Sequence, residues 1–527
     1  MSDQFNTIVH EIVNQYINNV LFVDEQAFTT IIKKDSPDKQ KSLDAAAVSR
    51  AFSESKKICG FYAPETLEDI ERCKQLVLIP DIVVLDWDIR INVAISKEEE
   101  NQDDDTDDRG RYSIELLKSI IQDAGNEKLK VVFVYTGEPG INVVMDNISE
   151  AIGKEFRKNE ADFEIFSDNI HVLIRIKPNS KVEHTGYEHF QVAYSDLPQV
   201  LIKTFSNYVS GLMPCFAMSS LTALRACTAR ILRIYNSELD AELLGHQLAL
   251  DNPNDAKSYL ANSFGSAVSE LIMDNKSTDT DQWVEGWIDS CFSPEGQSIS
   301  FVGTHINRSA ISLKDFFFKR MTPTSLKERI NTSFSSSLSA RSDTLKQSLS
   351  VLFHKEGEDV LRAKFNFAAL SHHKNVFANH SSAPILTLGT IIKDKEGNCF
   401  LCIQQRCDTL RLPIKGMDFV FLPLVTEKSE MKVFEAVAIG PGDIRYIVQS
   451  SSSALLINFS PDKEHGPVVA RTVGGKYIFK SSQNEFEWVN ELKDIVAQRV
   501  VTAYVSHFAR VGVDVAEWLR IEGTNKK

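Results

Sequence analysis

Short apolar segments that end in charged or hydroxyl side chains constrain the fold of this chain more than any other feature. The clearest is "DIVVLDWDIR", residues 81–90, where Val83, Val84 and Leu85 lead into Asp86 and Asp88. Such segments alternate with amphipathic helical patterns through the first two hundred residues, and each is apolar without polar alternation. Parallel strands that are covered on both faces have this composition. The pattern therefore predicts an α/β domain with a parallel sheet.

Four of the five predicted strands end in polar side chains. These are Asp24 and Glu25 after the first strand, Asp86 and Asp88 after the third, Thr136 on the fourth and Lys177 on the fifth. In an open α/β sheet the ligand site lies beyond the carboxyl ends of the strands, so we expect these side chains to converge. Carboxylates suit Mg²⁺, and a hydroxyl or an ammonium suits a phosphoryl group. A carboxylate beside the metal can act as a nucleophile in phosphoryl transfer.

The ordered set "LFVDEQ", "IVVLDWDI", "VVFVYTG" and "IRIKP" resembles the receiver domain of two-component response regulators over residues 1–212. The resemblance implies a flavodoxin-like, five-stranded parallel sheet and a histidine kinase as phosphoryl donor. It implies that Asp86 is the phosphoacceptor, that Thr136 hydrogen-bonds the phosphoryl group and that Lys177 pairs with it. The Mg²⁺ ligands would be Asp24, Glu25, Asp86 and the backbone carbonyl of Asp88. Self-phosphorylation and autodephosphorylation would be the reactions of this domain.

Three positions depart from the family's pattern. Ile174 stands where the family usually has an aromatic side chain that turns inward on phosphorylation, and Glu25 replaces the more usual second aspartate. Asp88, two residues after the phosphoacceptor, could repel a phosphoryl group or orient an attacking water. The chain also carries an acidic insertion with eight carboxylates between Glu98 and Asp108, which is typical of a solvated loop.

The rest of the chain predicts three further regions. Apolar residues recur at helical spacing through 213–380, short strands with turn signals fill 381–482, and 483–527 has a helical pattern with Gly512 as a break. We therefore expect a mainly helical region, a small antiparallel β domain with a hairpin around residues 395–398, and C-terminal helices. Cys399 and Cys402 should lie on opposite faces of one strand. No phosphate-binding loop, nucleophile elbow or zinc-protease motif is present in the sequence.

Composition limits the partners. The formal net charge of -14 gives no sequence-wide basic field, which argues against nucleic acid as a partner. No apolar run reaches the ~18 residues of a membrane span, so we expect a cytoplasmic protein without a membrane partner. The 8 cysteines, spread through a long chain, fit reduced thiols.

The most economical hypothesis is a receiver protein that signals through protein contacts of a C-terminal part that does not bind DNA. Its architecture is similar to response regulators of Detocs-type bacterial anti-phage systems, which implies a role as a phosphoryl sink in antiviral defence. A second response regulator, an effector protein and a homodimer are further candidate partners. Three alternatives stay open: an effector enzyme with an unrecognised catalytic site, a degenerate receiver used as a scaffold, and a transcription factor with an unfamiliar DNA-binding surface.

Overall fold

The structure is a computed structural model in which the chain forms two compact units, Met1–Ala340 and Arg341–Lys527. It describes residues 3–28, 43–91, 109–124, 128–137, 140–153, 155–178, 186–250, 254–275, 280–374, 383–426, 437–440, 444–448, 454–463, 465–482 and 484–508. The acidic insertion and Gly512 lie outside these residues. No helix in the described ranges is both long and apolar enough to cross a membrane.

A seven-stranded sheet organises the first unit. Its strands are β1 (Asn19–Val23), β2 (Ile58–Tyr62), β3 (Ile82–Asp86), β4 (Lys130–Thr136), β5 (Arg157–Asn159), β6 (Glu164–Phe166) and β7 (Ile170–Ile176). Five strands run parallel in the order β2-β1-β3-β4-β7, and β6 and β5 extend the sheet beyond β7 in antiparallel pairing. The α/β class is confirmed. The expected five-stranded sheet is not, because the segment between β4 and β7 adds a hairpin of its own.

Six helices cover the two faces of this sheet. They are α1 (Asp3–Tyr16), α2 (Ala45–Glu54), α3 (Leu67–Leu76), α4 (Arg111–Ala124), α5 (Ile141–Ile152) and α6 (Leu197–Tyr208). Alternate strand residues face opposite sides, so Val84 and Phe133 pack with α1, α2 and α6, whereas Val83 and Val132 pack with α3, α4 and α5. Every residue of β3 and β4 is buried. Two apolar faces therefore hold the carboxyl edge of the sheet in place.

The first unit continues into a helical segment. Its elements are α7 (Leu212–Ala226), α8 (Thr228–Ile234), α9 (Asp240–Ala249), α10 (Asn254–Asp274), α11 (Thr280–Cys291), β8 (Gln297–Phe301), β9 (Thr304–Arg308), α12 (Ala310–Phe318) and α13 (Leu326–Ser333). The mainly helical character expected here is present, interrupted by the β8–β9 hairpin. α1 packs against α6, α7 and α11, which connects the helical segment to the sheet domain.

The second unit contains a nine-stranded sheet. Its elements are α14 (Ser342–Ser348), α15 (Val360–His372), β10 (Thr390–Lys393), β11 (Cys399–Cys402), α16 (Arg406–Thr409), β12 (Met417–Thr426), β13 (Val437–Gly440), β14 (Ile444–Val448), β15 (Leu455–Phe459), β16 (Arg471–Val473), β17 (Lys476–Lys480), β18 (Glu485–Glu491) and α17 (Asp494–Phe508). All pairings in this sheet are antiparallel. β10 and β11 form the expected hairpin around residues 395–398. Cys399 and Cys402 lie in different apolar clusters, as expected for opposite faces.

One element of the second unit differs from its prediction. The stretch "EFEWVNE" was expected to begin a long helix, but Glu485–Glu491 is the strand β18, and the helix begins at Asp494. β18 pairs with both β10 and β17, so backbone hydrogen bonds to two neighbours decide its conformation. The predicted C-terminal region at 483–527 therefore starts with a strand of the β domain. The division of the chain at 212, 380 and 482 otherwise stays a prediction.

Candidate functional site

The side chains predicted for the site lie along one edge of the parallel sheet. Asp86 is the last residue of β3 and Thr136 the last of β4, while Asp24 and Lys177 directly follow β1 and β7. In the register of the sheet Val23 lies beside Leu85, Asp86 beside Tyr135, and Thr136 beside Ile176. Four strands with their carboxyl ends at the same edge therefore bring together residues that are up to 153 positions apart in sequence.

Lys177 connects two of the carboxylates. Its Nζ donates to Asp86 Oδ2 at 2.7 Å and to Asp24 Oδ2 at 3.0 Å. All three side chains are nearly withdrawn from solvent, with exposed fractions of 12% for Lys177, 8% for Asp86 and 3% for Asp24. Charge-assisted hydrogen bonds of this kind offset part of the cost of burying the charges. The ammonium is thus held within reach of any group attached to Asp86.

Asp24, Glu25 and Asp86 form a cluster with metal-binding geometry. Each offers a carboxylate oxygen, and these oxygens lie within 4.8 Å of one another. Glu25 Oε1 accepts from Gln26 Nε2 at 3.2 Å, whereas the buried Glu25 Oε2 has no hydrogen-bond partner. A buried carboxylate oxygen without a partner is costly unless a cation is present. Three carboxyl groups therefore converge beside a single ammonium, and oxygen ligands of this kind fit a hard divalent cation such as Mg²⁺.

The electrostatics of the site follow from burial and crowding. Burial, reinforced by the charges of Asp86 and Asp24, raises the pKa of Glu25 to about 8. Burial also raises the pKa of Asp86 to about 6, although Lys177 opposes the rise. Burial alone would lower the pKa of Lys177, but the charges of Asp86 and Asp24 outweigh it and raise that pKa above its ordinary value. Lys177 therefore stays charged at neutral pH.

Asp88 lies just outside the cluster. Its backbone N–H points toward Asp86 Oδ1 at 3.4 Å, and its carboxylate accepts from Arg90 Nη2 at 2.5 Å and from Arg90 Nε at 2.9 Å. The ion pair with Arg90 occupies the carboxylate at the surface. The prediction that the backbone carbonyl of Asp88 is a metal ligand stays a prediction.

Thr136 and Ile174 are both buried. Thr136 ends β4, and its carbonyl accepts from the backbone N–H of Lys177 at 2.8 Å, which ties the ends of β4 and β7 together. Ile174 packs in the core on the α3–α5 side of the sheet. An aliphatic side chain in this core has no aromatic ring to turn inward, so the structure offers no aromatic switch at position 174.

The turn after Asp86 is fixed by residues that the sequence analysis did not select. Ser113 on α4 donates to the carbonyl of Asp86 and to the carbonyl of Trp87, the latter at 3.1 Å. Gly110 has φ +80°, and a Cβ there would lie 2.1 Å from the buried Trp87 ring, so only glycine lets the indole pack at this point. In the sequence, Ser113 could have been noticed as a polar residue on the apolar face of a predicted helix.

On the other side of the sheet, Tyr135 and Gln191 stabilise the region next to Lys177. Tyr135 Oη donates to the carbonyl of Val192 at 2.5 Å, and its ring packs edge-on against Tyr194. Gln191 Nε2 donates to the carbonyls of Lys177 and Pro178 at 3.2 and 2.8 Å. These contacts come from a segment about fifteen residues beyond Lys177, so no local sequence signal reveals them.

The carboxylate cluster and the lysine lie at the carboxyl edge of the parallel sheet, which is where open α/β sheets bind their ligands. Residues 16–182 match a family model described as "Response receiver domain". This segment of the chain is therefore a response-regulator receiver domain, as the sequence motifs predicted. Neither the curated proteins nor the solved structures contain a match to the chain.

Proposed function

We propose that this protein is a response regulator whose Asp86 carboxylate accepts a phosphoryl group from a histidine kinase in a Mg²⁺-dependent reaction. The observation that carries the proposal is the composition of the carboxyl edge. Asp86 is buried there with Lys177 Nζ 2.7 Å from its carboxylate and with Asp24 and Glu25 beside it. This edge belongs to the segment that matches the receiver domain.

The transfer needs an ionised Asp86. Its raised pKa of about 6 still lies below neutral pH, so the carboxylate form predominates there. One carboxylate oxygen attacks the phosphorus of a phosphohistidine, an O–P bond forms, and the P–N bond breaks. The imidazole nitrogen keeps the electron pair of that bond and takes up a proton, and Asp86 becomes an acyl phosphate.

Each neighbouring residue has a role in this step. Lys177 is placed to pair with a phosphoryl oxygen on Asp86, and Thr136 carries a hydroxyl that suits hydrogen bonding to another. Asp24, Glu25 and Asp86 would hold Mg²⁺, which supplies positive charge to the transferring phosphoryl group. Without a cation, the negative charge of this cluster would repel the incoming phosphate.

We propose that the output runs through protein contacts. Two of the three arginines in α7 and α8 already have partners within the first unit. Arg225 packs over the Tyr16 ring at 4.8 Å and donates to the Tyr16 carbonyl, and Arg230 pairs with Asp274 at 3.1 Å. This use of the arginines favours a structural role over DNA binding. The cytoplasmic location and the roles in anti-phage defence and as a phosphoryl sink stay predictions.

Intact mass after incubation with acetyl phosphate and Mg²⁺ tests the proposal. The wild type should gain one phosphoryl group, and EDTA should prevent the gain. Asp86→Asn should abolish it, whereas the matched control Asp88→Asn should keep it, because the Asp88 carboxylate is engaged by Arg90. If neither acetyl phosphate nor a phosphorylated histidine kinase labels the folded wild type, the domain is a degenerate receiver that serves as a scaffold.

Mg²⁺ binding has a readout that needs no phosphoryl transfer. A ligand at 100 times its dissociation constant stabilises the folded state by about 2.7 kcal/mol, so Mg²⁺ should raise the unfolding midpoint of the wild type. Glu25→Gln and Asp24→Asn should reduce this stabilisation, and Asp69→Asn, which caps α3 and is not part of the carboxylate cluster, should not. If the unfolding midpoint of the wild type is the same with and without Mg²⁺, the proposed metal site is contradicted.

A further inference from the structure

Ser113 carries a buried hydroxyl on a helix face that is otherwise apolar. It lies in the first turn of α4 and is only 2% exposed, and the residues three, four and seven positions later on the same face are the buried Leu116, Leu117 and Ile120. An apolar side chain would pack well at this position, whereas a buried hydroxyl is costly unless it finds a hydrogen-bond partner. The partners of Ser113 therefore indicate what its hydroxyl does.

These partners are two successive backbone carbonyls in the turn after β3. Ser113 Oγ donates to the carbonyl of Asp86 and to that of Trp87, the latter at 3.1 Å, across 27 and 26 positions of sequence. A serine hydroxyl has one hydrogen, so the two carbonyls share it. The connection from Asp88 to α4 includes the acidic insertion, so a tertiary contact rather than a short loop ties this turn to the helix.

Holding the two carbonyls fixes the two peptide groups that follow Asp86. In a trans peptide the N–H points opposite to the C=O, so a held carbonyl also sets the direction of its N–H. In the first peptide that N–H belongs to Trp87 and donates to the carbonyl of Tyr135 on β4 at 3.1 Å. In the second it belongs to Asp88 and points toward Asp86 Oδ1 at 3.4 Å. Ser113 thus acts on the Asp86 carboxylate through the Trp87–Asp88 peptide.

The carboxylate of Asp86 is thereby oriented from two sides. Lys177 Nζ donates to Oδ2 at 2.7 Å, and the Asp88 N–H faces Oδ1. Rotation of the Trp87–Asp88 peptide would move this N–H away and let the carboxylate turn about its Cβ–Cγ bond. We propose that Ser113 is a positioning residue for phosphoryl transfer, because its hydroxyl holds this peptide and so keeps the Asp86 carboxylate in the geometry that attacks phosphorus. The inference rests on the proposed transfer to Asp86.

Initial rates of phosphorylation over a range of acetyl phosphate concentrations, with Mg²⁺ present throughout, test the proposal. Ser113→Ala should lower the maximal rate constant at least about tenfold and change the KM for acetyl phosphate less than about twofold, because misplaced reacting groups slow the chemical step more than they weaken binding. A serine that only stabilised the fold would leave the rate constant of the folded protein unchanged. Circular dichroism establishes that each variant is folded at the assay temperature.

Further variants separate the hydrogen bond from the volume of the side chain. Ser113→Cys keeps nearly the same size but offers only a weak donor, so it should be nearly as slow as Ser113→Ala, whereas Ser113→Thr keeps a hydroxyl and should retain most of the wild-type rate. Ser206→Ala is the matched control. Ser206 is 3% exposed and its hydroxyl also donates to a carbonyl, but that carbonyl belongs to Ile202 in its own helix α6, so the rate should not change.

Amide hydrogen exchange tests the geometry without a phosphoryl group. In Ser113→Ala the backbone amides of Trp87 and Asp88 should exchange at least about tenfold faster than in the wild type, because the turn is no longer tied to α4. In Ser206→Ala the same two amides should exchange at the wild-type rate. Peptides that contain these amides, compared among the three proteins, measure the difference.

The outcomes separate this inference from the proposed function. If the wild type is phosphorylated and either Ser113→Ala or Ser113→Cys keeps the wild-type maximal rate constant, the role of Ser113 is overturned and the proposed function stands. Unchanged exchange of the two amides in Ser113→Ala also overturns it. If neither acetyl phosphate nor a phosphorylated histidine kinase labels the folded wild type, the proposed function fails, and the inference fails with it even where exchange is faster in Ser113→Ala.

Discussion

The two large sheets of this protein both have apolar clusters on their two faces, but they differ at their edges. The parallel sheet lies between two apolar clusters, and so does the antiparallel sheet of the second unit. Only the parallel sheet gathers Asp24, Glu25 and Asp86 at one edge, and the described part of the second unit contains no comparable metal-binding group. Adjacent parallel strands end at the same edge, whereas adjacent antiparallel strands end at opposite edges. Strand direction thus decides whether strand-end residues can form a site.

Different interactions stabilise the two sheets. In the antiparallel sheet the interior is aromatic, with Phe459 in contact with the rings of Phe419, Phe421 and Phe486. In the parallel sheet the apolar faces hold a charged edge whose groups must compensate one another. We therefore expect the first sheet to be sensitive to lost charge balance and the second to lost volume.

The largest expected effect is on the antiparallel sheet. Phe459→Ala should destabilise the second unit by about 3–5 kcal/mol, because Phe459 is fully buried and its removal leaves a cavity among three rings. Hydrogen exchange of peptides from β12 and β18 measures the loss. Leu456→Ala on the same strand is the control; that side chain is 68% exposed, so its loss should change stability by less than about 0.5 kcal/mol. An equal loss for both variants would contradict the expectation that the antiparallel sheet depends on the volume buried in its interior.

A somewhat smaller effect is expected at the charged edge. Lys177→Met should cost about 3 kcal/mol at neutral pH without Mg²⁺, because Asp24 and Asp86 would stay buried without their cation. Urea unfolding followed by circular dichroism measures the change. Lys74→Met is the matched control: Lys74 also bridges two carboxylates, Glu71 and Glu115 at 2.6 Å each, but these partners are far more exposed. It should cost less than about 1 kcal/mol.

A double variant separates charge from volume at this edge. Lys177→Met combined with Asp86→Asn should recover part of the lost stability, since one uncompensated carboxylate is removed. If the double variant is no more stable than Lys177→Met, the lysine acts through packing rather than through charge.

The smallest effect concerns the hairpin that extends the parallel sheet. Glu164 on β6 pairs with His171 at 3.1 Å and with Arg175 at 3.3 Å, and although burial opposes it, these partners lower the pKa of Glu164 below its ordinary 4.5. A lowered folded-state pKa adds stability above the unfolded value and loses it as pH falls through the folded value. Wild-type stability should therefore drop below about pH 4.5, and Glu164→Gln should cost about 1 kcal/mol at pH 7 and flatten this dependence. Glu68→Gln, in an exposed pair with Arg72, is the control and should change stability at pH 7 by less than about 0.5 kcal/mol.

Local patterns were sufficient for much of the receiver domain. Continuous apolar runs identified β1, β3, β4 and β7, and the residues at their ends proved to be neighbours because parallel strands share an edge. The β10–β11 hairpin followed from its turn residues in the same way. The hairpin of β5 and β6 and the strand β18 were missed, because their conformation depends on pairing with distant strands.

The sequence by itself determined the order of elements, the residue types at the strand ends and hence the receiver class, since these depend on short-range periodicity and on strand direction. Only the tertiary structure decided that Lys177 bridges Asp24 and Asp86, that Ser113 and Trp87 fix the turn beside Asp86, and that Leu244 and Leu248 on α9 are exposed. Those features arise from contacts between segments far apart in the chain. Burial and distance, which set their energies, exist only after the chain has folded.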